Sequence, residues 1–290
     1  MTDTAGTGRA ASGPGTGPGL AGWRVLVTRA EHQAGELSRL IREAGGEPVE
    51  LPVIAISPSP EPERLDAALA RLEQYDWVIF TSANAVDAVV RRMAELGIPA
   101  RALERPRLAA IGPATAAALS RQGLAVDVVP AEYVAEAVVK SLSGAAQWAG
   151  LRVLLPRAAR ARPVLPEGLR ALGANVDVVA AYETVPADAP EAPAVLEQLA
   201  QGRIQAMTFT SPSTVEGFCR LLAARGREGR AVSEALASGT VIGCIGPVTA
   251  AAARERGFEV DVIAEEYTVA GLVRALAAYR QKGAMGRGVS

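Results

Sequence analysis

The sequence carries one pattern twice. FTSANAVDAVVRRM begins at Phe80 and FTSPSTVEGFCRLL begins at Phe209, 129 positions later. IGPATAAAL at Ile111 returns as IGPVTAAAA at Ile245, and VDVVPAEYV at Val126 returns as VDVIAEEYT at Val260, both 134 positions on. The start repeats as well, since RVLVTRA at Arg24 matches RVLLPRA at Arg152. The drift of five positions is accounted for by the Gly- and Arg-rich RGREGRAVS in the second copy. A period of this length is too long for a solenoid and describes a duplicated, domain-sized unit.

Within each copy, short β-branched runs alternate with longer amphipathic ones. RVLVT, YDWVIF, RLAAI, LRVLLP, IQAMTF and TVIGCI read as buried strands, each followed by a helical segment, the first over about Glu31 to Ala44. Strands separated by helices form parallel sheets covered on both faces, so the expected class is α/β with two parallel-sheet lobes. Two matched, proline-studded stretches interrupt the alternation, Glu50 to Pro62 and Ala180 to Pro193. Proline disfavours helix in the residue before it, so these are extended connectors. Two connectors mean two crossings between lobes. Residues 23–52 plus 187–279 are expected in one lobe and residues 57–181 in the other. Connectors 53–56 and 182–186 are expected to pair as a two-stranded hinge. Residues 1–22 read as a disordered leader and 280–290 as a C-terminal tail.

Composition removes whole classes of function. Net charge is −1, which offers no global attraction for nucleic acid or an anionic membrane, and 4% aromatics are too few for a base-stacking platform. His32 is the sole histidine, so a His-based triad or zinc centre is excluded, and the scattered acidic residues form no metal set. Cys219 and Cys244 read as buried thiols of a reducing compartment. The leader lacks the apolar run of a secretory signal, and no stretch approaches the ~20 apolar residues of a membrane span. A cytoplasmic location is expected. There is no G-x-x-x-x-G-K-[ST] loop, no G-x-G-x-x-G after a strand and no G-x-S-x-G elbow.

What remains is the set of repeated corners. Parallel sheets bind ligands at the carboxyl ends of their strands, where loops turn into helix N-termini. Ser82 and Ser211 stand there as helix caps, with Pro212 at a first helical position. Gly112–Pro113 and Gly246–Pro247 repeat the arrangement, with Thr115 and Thr249 one turn in. Helix N-termini favour anions by roughly 0.3–1 kcal/mol each, so four of them facing one cleft suit a polyanion without a basic protein. Arg29 and Arg157 follow equivalent strands and offer guanidinium forks for carboxylates, whereas Arg160 and Arg162 read as solvent-facing. Tyr133 and Tyr267 close equivalent loops.

Taken in order, these motifs resemble the uroporphyrinogen-III synthase family. VLVTRA at Val25, GGEPVELPVIAI at Gly45, FTSANAV, IGPATAAAL, AAYETVP at Ala180, FTSPSTV and IGPVTAAAA carry the resemblance, from Trp23 to about Ala278. The resemblance implies two flavodoxin-like lobes joined by a two-stranded hinge, and a monomer that needs neither cofactor nor metal. It also implies a substrate, hydroxymethylbilane, handed over from hydroxymethylbilane synthase and closed with ring D inverted through a spiro-pyrrolenine intermediate. Tyr182, in AAYETVP, matches the family tyrosine that assists the departing hydroxyl. Ser82, Ser211 and Thr249 match substrate-contacting positions, and Thr115 is the symmetric partner of Thr249. A non-catalytic, two-lobed sensor of porphyrinogens or other polycarboxylates is the alternative from another class. A twin-lobed phosphosugar isomerase would need a Glu/His pair that is absent.

Overall fold

The computed structural model describes residues 19–130, 135–224 and 239–285. In chain order its strands are β1 (Arg24–Val27), β2 (Glu47–Glu50), β3 (Ile54–Pro58), β4 (Trp77–Phe80), β5 (Arg107–Ala110), β6 (Arg152–Ala158), β7 (Asn175–Pro186), β8 (Ala206–Phe209), β9 (Val241–Cys244) and β10 (Val262–Ile263). The helices are α1 (Glu31–Glu43), α2 (Pro62–Leu69), α3 (Ala83–Glu95), α4 (Pro113–Arg121), α5 (Ala135–Ser143), α6 (Val164–Ala171), α7 (Ala192–Ala200), α8 (Pro212–Ala223), α9 (Pro247–Glu255) and α10 (Val269–Met285).

The strands form two sheets of five. The first is wholly parallel with spatial order β2-β1-β8-β9-β10. Numbered within its own lobe this is 2-1-3-4-5, the flavodoxin-like order. The second runs β3-β7-β6-β4-β5, and Val128 adds a parallel bridge beyond β5 through Ala109. Under the sequence repeat β6 stands for β1, β7 for β2, β4 for β8 and β5 for β9. The second lobe therefore has the same spatial order as the first, entered by the chain at a different strand. The lobes are related by circular permutation.

Each central strand is apolar on both sides, as a doubly covered parallel sheet requires. Leu26, Met207, Phe209 and Ile242 face one core, while Val25, Val27, Ala206 and Val241 face another. In the second lobe Val78, Phe80 and Leu154 face one core, and Trp77, Ile79, Val153 and Leu155 the opposite one. Helix α1 follows the same logic, burying Ala34, Leu37, Ser38 and Ile41 at helical spacing. Where β1 meets β8, two buried hydroxyls are satisfied by neighbouring carbonyls. Thr28 Oγ1 donates to Thr208 O at 2.7 Å and Thr208 Oγ1 to Leu26 O at 2.7 Å.

The two connectors pair antiparallel, from Ile54 opposite Pro186 to Pro58 opposite Tyr182. This two-stranded hinge continues the second sheet, because β7 runs unbroken from Asn175 into the crossing and β3 lies along its outer edge. Prolines are tolerated in such an edge pair, where no ladder partner is needed on the outer side.

Both expected tails are shorter than the sequence suggests. Leu20 is fully buried and its N–H bonds to Ala44 O at 2.7 Å, while Gly19 O accepts from Arg280. One leucine amid glycine and proline has no periodicity to announce it. At the other end α10 continues to Met285, six residues past the expected limit at 279, because RQKGAM contains no helix-stopping proline. RGREGRAVS lies outside the described residues.

Candidate functional site

The corners at the carboxyl ends of the strands meet in a cleft of about 480 Å³ lined from both lobes. Thr81, Gly112 and Pro113 contribute from one side, and Ser211, Gly246 and Thr249 from the other. A larger recess of about 750 Å³ lies beside the hinge, but Glu31, Glu50, Asp188 and Glu191 line it with His32. That acidic wall would repel a polycarboxylate. The helix-end cleft, lined by no acidic residue among those described, is the candidate site.

The two Thr-Ser corners cap their helices differently. Ser211 Oγ accepts from Thr214 N at 3.3 Å, and Thr214 Oγ1 accepts from Ser211 N at 3.3 Å, a reciprocal capping box at the start of α8. In the other copy Ser82 Oγ accepts from Ala85 N at 3.2 Å, and alanine has nothing to return. Ser82 Oγ instead lies 3.1 Å from the Tyr182 hydroxyl, so the sequence-predicted tyrosine and serine are brought together. The register of β7 makes this possible. Opposite β6 it slips between Arg157 and Ala158, passing over Ala181, and Ala159 N bonds to Tyr182 O at 2.9 Å. The tyrosine is buried, with only its polar end at the cap of α3.

Of the two threonines, Thr249 lines the cleft. Thr115 is buried and turned inward, its Oγ1 donating to Ile111 O at 2.9 Å. Both threonines are buried, Thr115 at 3% and Thr249 at 4% exposure, so the copies differ in that only Thr249 is part of the cleft wall.

Arg29 and Arg157 occupy equivalent positions past β1 and β6, and burial lowers the pKa of both guanidinium groups. For Arg29, Glu36 works against this effect; for Arg157, Tyr182 does. Both remain charged at neutral pH, since arginine starts so high. Arg157 is committed, donating through Nη2 to Arg162 O at 2.7 Å. Arg29 Nε is buried with no hydrogen-bond partner. Arg160 is mostly solvent-exposed and only reaches Glu183 at 4.0 Å. Tyr133 lies outside the described residues, while its counterpart Tyr267 lines the cleft.

Sequence reasoning missed a polar contact across the lobes, in which Gln33 Nε2 of α1 donates to Asn84 Oδ1 of α3. Neither residue recurs in the other copy, so the repeat gave no signal for them. Among the described residues no group of three or more His, Cys, Asp or Glu side chains is placed to hold a metal ion. No helix among them is long and apolar enough to cross a membrane.

Comparison with known proteins is consistent across sequence and structure. A family model described as uroporphyrinogen-III synthase HemD matches residues 35–274. A putative uroporphyrinogen-III synthase of Methanothermobacter thermautotrophicus is 35% identical over 254 residues, 87% of this chain and 97% of that protein. The uroporphyrinogen-III synthase of Synechococcus elongatus is 35% identical over 265 residues, 89% and 95% of the two chains. In fold, the chain is similar to a crystal structure of a mutant uroporphyrinogen III synthase from Thermus thermophilus, with a TM-score of 0.62 at 24% identity, covering 90% of this chain and 99% of that one.

Proposed function

The chain belongs to the uroporphyrinogen-III synthase family, and we propose from that premise that its interlobe cleft folds hydroxymethylbilane and closes it to uroporphyrinogen III. The observation that carries this reading is the convergence of matched helix N-terminal corners, Thr81 and Gly112 with Ser211 and Gly246, on one cleft. A linear tetrapyrrole bears many acetate and propionate groups. The amides that the serine caps of α3 and α8 leave unused, with those at the starts of α4 and α9, provide for them at roughly 0.3–1 kcal/mol each. Arg29 does not line that cleft, and the reading assigns it the charged fork on the strength of its buried, unpartnered Nε.

The chemistry asks chiefly for geometry. An electron-rich pyrrole expels hydroxide readily, so the protein gains most by holding the chain ends together in the orientation that inverts ring D. In this reading the Tyr182 hydroxyl gives its proton to the departing hydroxyl, which leaves as water. Ring D attacks the resulting cation to form the spiro-pyrrolenine, reopens, and closes at its other side. The proton then lost from that ring returns to the tyrosine oxygen, so the balance is loss of one water. Ser82 fixes the direction of the tyrosine hydroxyl, and Ser211 and Thr249 meet substrate groups on the opposite wall.

The same reading takes residues 23–52 with 187–279, and residues 57–181, as two bodies that approach each other about the β3–β7 pair. It takes the enzyme as a cytoplasmic monomer supplied by hydroxymethylbilane synthase. Relatives named as synthases over nearly their full length support turnover over passive sensing.

The test is the isomer of the product. Hydroxymethylbilane made in situ by its deaminase closes spontaneously to isomer I. With this protein present, oxidation and chromatography are expected to give mostly uroporphyrin III. Isomer I alone, from folded protein, would overturn the cyclase reading.

A further inference from the structure

The cleft has an apolar wall as well as polar corners. Leu96, Val129, Val248, Tyr267 and Tyr279 are the exposed large hydrophobic residues among those described, and Val248 and Tyr267 both line this cleft. Single exposed apolar side chains are ordinary, whereas ligand pockets are typically concavities lined by apolar side chains with a few polar groups. Tyr267 keeps 40% of its surface exposed there.

The glycines explain how its ring is held. Gly112, at the start of α4, has φ +89°, a left-handed conformation that only glycine adopts cheaply. Gly246, in the matching position before α9, has φ −176°, extended backbone open to any residue. A Cβ on Gly246, however, would sit 3.2 Å from Cδ1 and 3.3 Å from Cγ of Tyr267. The same IGP motif therefore needs its glycine for conformation in one lobe and for room in the other. In the first lobe that room lets an aromatic ring lie against the corner backbone, beside the helix N-terminus, as part of the cleft wall.

We propose that Tyr267 is a positioning residue whose ring packs against one pyrrole of the bound tetrapyrrole, with Val248 beside it. The inference rests on the reading of the cleft as a tetrapyrrole site and deepens it. Carboxylates at the rim of such a ligand go to the helix ends, while its electron-rich rings need an aromatic or apolar partner, in offset or edge-to-face contact. A contact of this kind is made before and during reaction alike, so it acts on binding more than on the chemical step.

Tyr267→Ala and Tyr267→Phe separate the ring from the hydroxyl. With bilane supplied in situ, Tyr267→Ala is expected to raise KM roughly three- to tenfold with kcat nearly unchanged, and Tyr267→Phe to behave like the unaltered protein. Titration with uroporphyrin III, the oxidised and unreactive macrocycle, followed by its emission, should rank the three proteins the same way. An alanine variant with unchanged KM and unchanged uroporphyrin affinity overturns the inference, as does a phenylalanine variant as weak as alanine. Should the unaltered protein yield only isomer I while Tyr267→Ala still weakens uroporphyrin binding, the cyclase reading falls and the ring contact stands. Isomer III from the unaltered protein with an indifferent Tyr267→Ala removes the ring contact and leaves the cyclase reading in place.

Discussion

The Tyr182 hydroxyl and Ser82 Oγ stand 3.1 Å apart, and the same serine oxygen accepts from Ala85 N at the start of α3. One side chain thus joins a hinge strand to a helix N-terminus. A donor held this way has its direction fixed by its neighbour, which gives the pair a testable signature. Tyr182→Phe should lower kcat by no more than about 10²-fold, because a positioned acid contributes about that much or more only where departure is difficult. Isomer III should still exceed isomer I. Ser82→Ala should slow turnover in the parent background but add little on top of Tyr182→Phe, as groups acting as a unit are not additive. Complete loss of isomer III in folded Tyr182→Phe would contradict the facile-departure argument.

Arg29 is half-buried, its Nε buried without a partner, and burial lowers its pKa. A buried charge with an unsatisfied donor costs stability unless a ligand compensates it. Arg29→Met should therefore melt no lower than the parent, yet raise KM by roughly tenfold or more, the value of a charge-assisted hydrogen bond. Arg29→Lys should not restore KM, lacking the planar fork. A lower melting temperature with unchanged KM would make this arginine structural.

The symmetric threonines should respond oppositely. Thr115 bonds to Ile111 O inside its own lobe, so Thr115→Val should cost about 1 kcal/mol in urea unfolding and leave KM alone. Thr249 lines the cleft, and Thr249→Val should raise KM a few-fold with little change in unfolding. Equal kinetic effects would mean that the lobes bind more symmetrically than their hydroxyls suggest.

Cys244 ends β9 fully buried, and burial pushes its thiol up to about 12. The folded state then holds a proton that the unfolded chain releases near the ordinary thiol pKa of about 8.5. Stability from this group is complete below that pH and is lost as pH rises toward 12, at a slope approaching 1.4 kcal/mol per pH unit. Urea midpoints for the parent and Cys244→Ala should run parallel below about pH 8 and converge above it. Parallel curves up to pH 11 would rule out the shift.

Much of this was legible because it was written twice. The strands β1, β4, β5, β6, β8 and β9 announce themselves by apolar runs, and the Thr-Ser and Gly-Pro corners by recurrence at equivalent positions. The two matched, proline-studded crossings led to an expected hinge pair, but its register, Ile54 to Pro58 against residues over 120 positions away, is encoded by no local pattern. Recurrence also misled. It made Thr115 and Thr249 look alike, when only Thr249 is part of the cleft wall and Thr115 bonds to a carbonyl of its own lobe. Gln33 and Asn84 touch across the lobes without any counterpart in the repeat, and Leu20 is buried from within a stretch whose composition resembles a tail.

The circular permutation gives the lobes different histories on the ribosome. Strands β3 to β7 are contiguous, so the second sheet can close as soon as it has emerged. Strand β1 must pair with β8, as Val25 does with Ala206, and translation at 5–20 residues per second makes it wait roughly 10–35 s for that partner. During that interval the only parallel sheet available to the exposed edge of β1 is β2, a two-stranded fragment too small to persist alone. Strand β1 is therefore made long before it is secured, and the nascent chain's need for protection is concentrated at that strand.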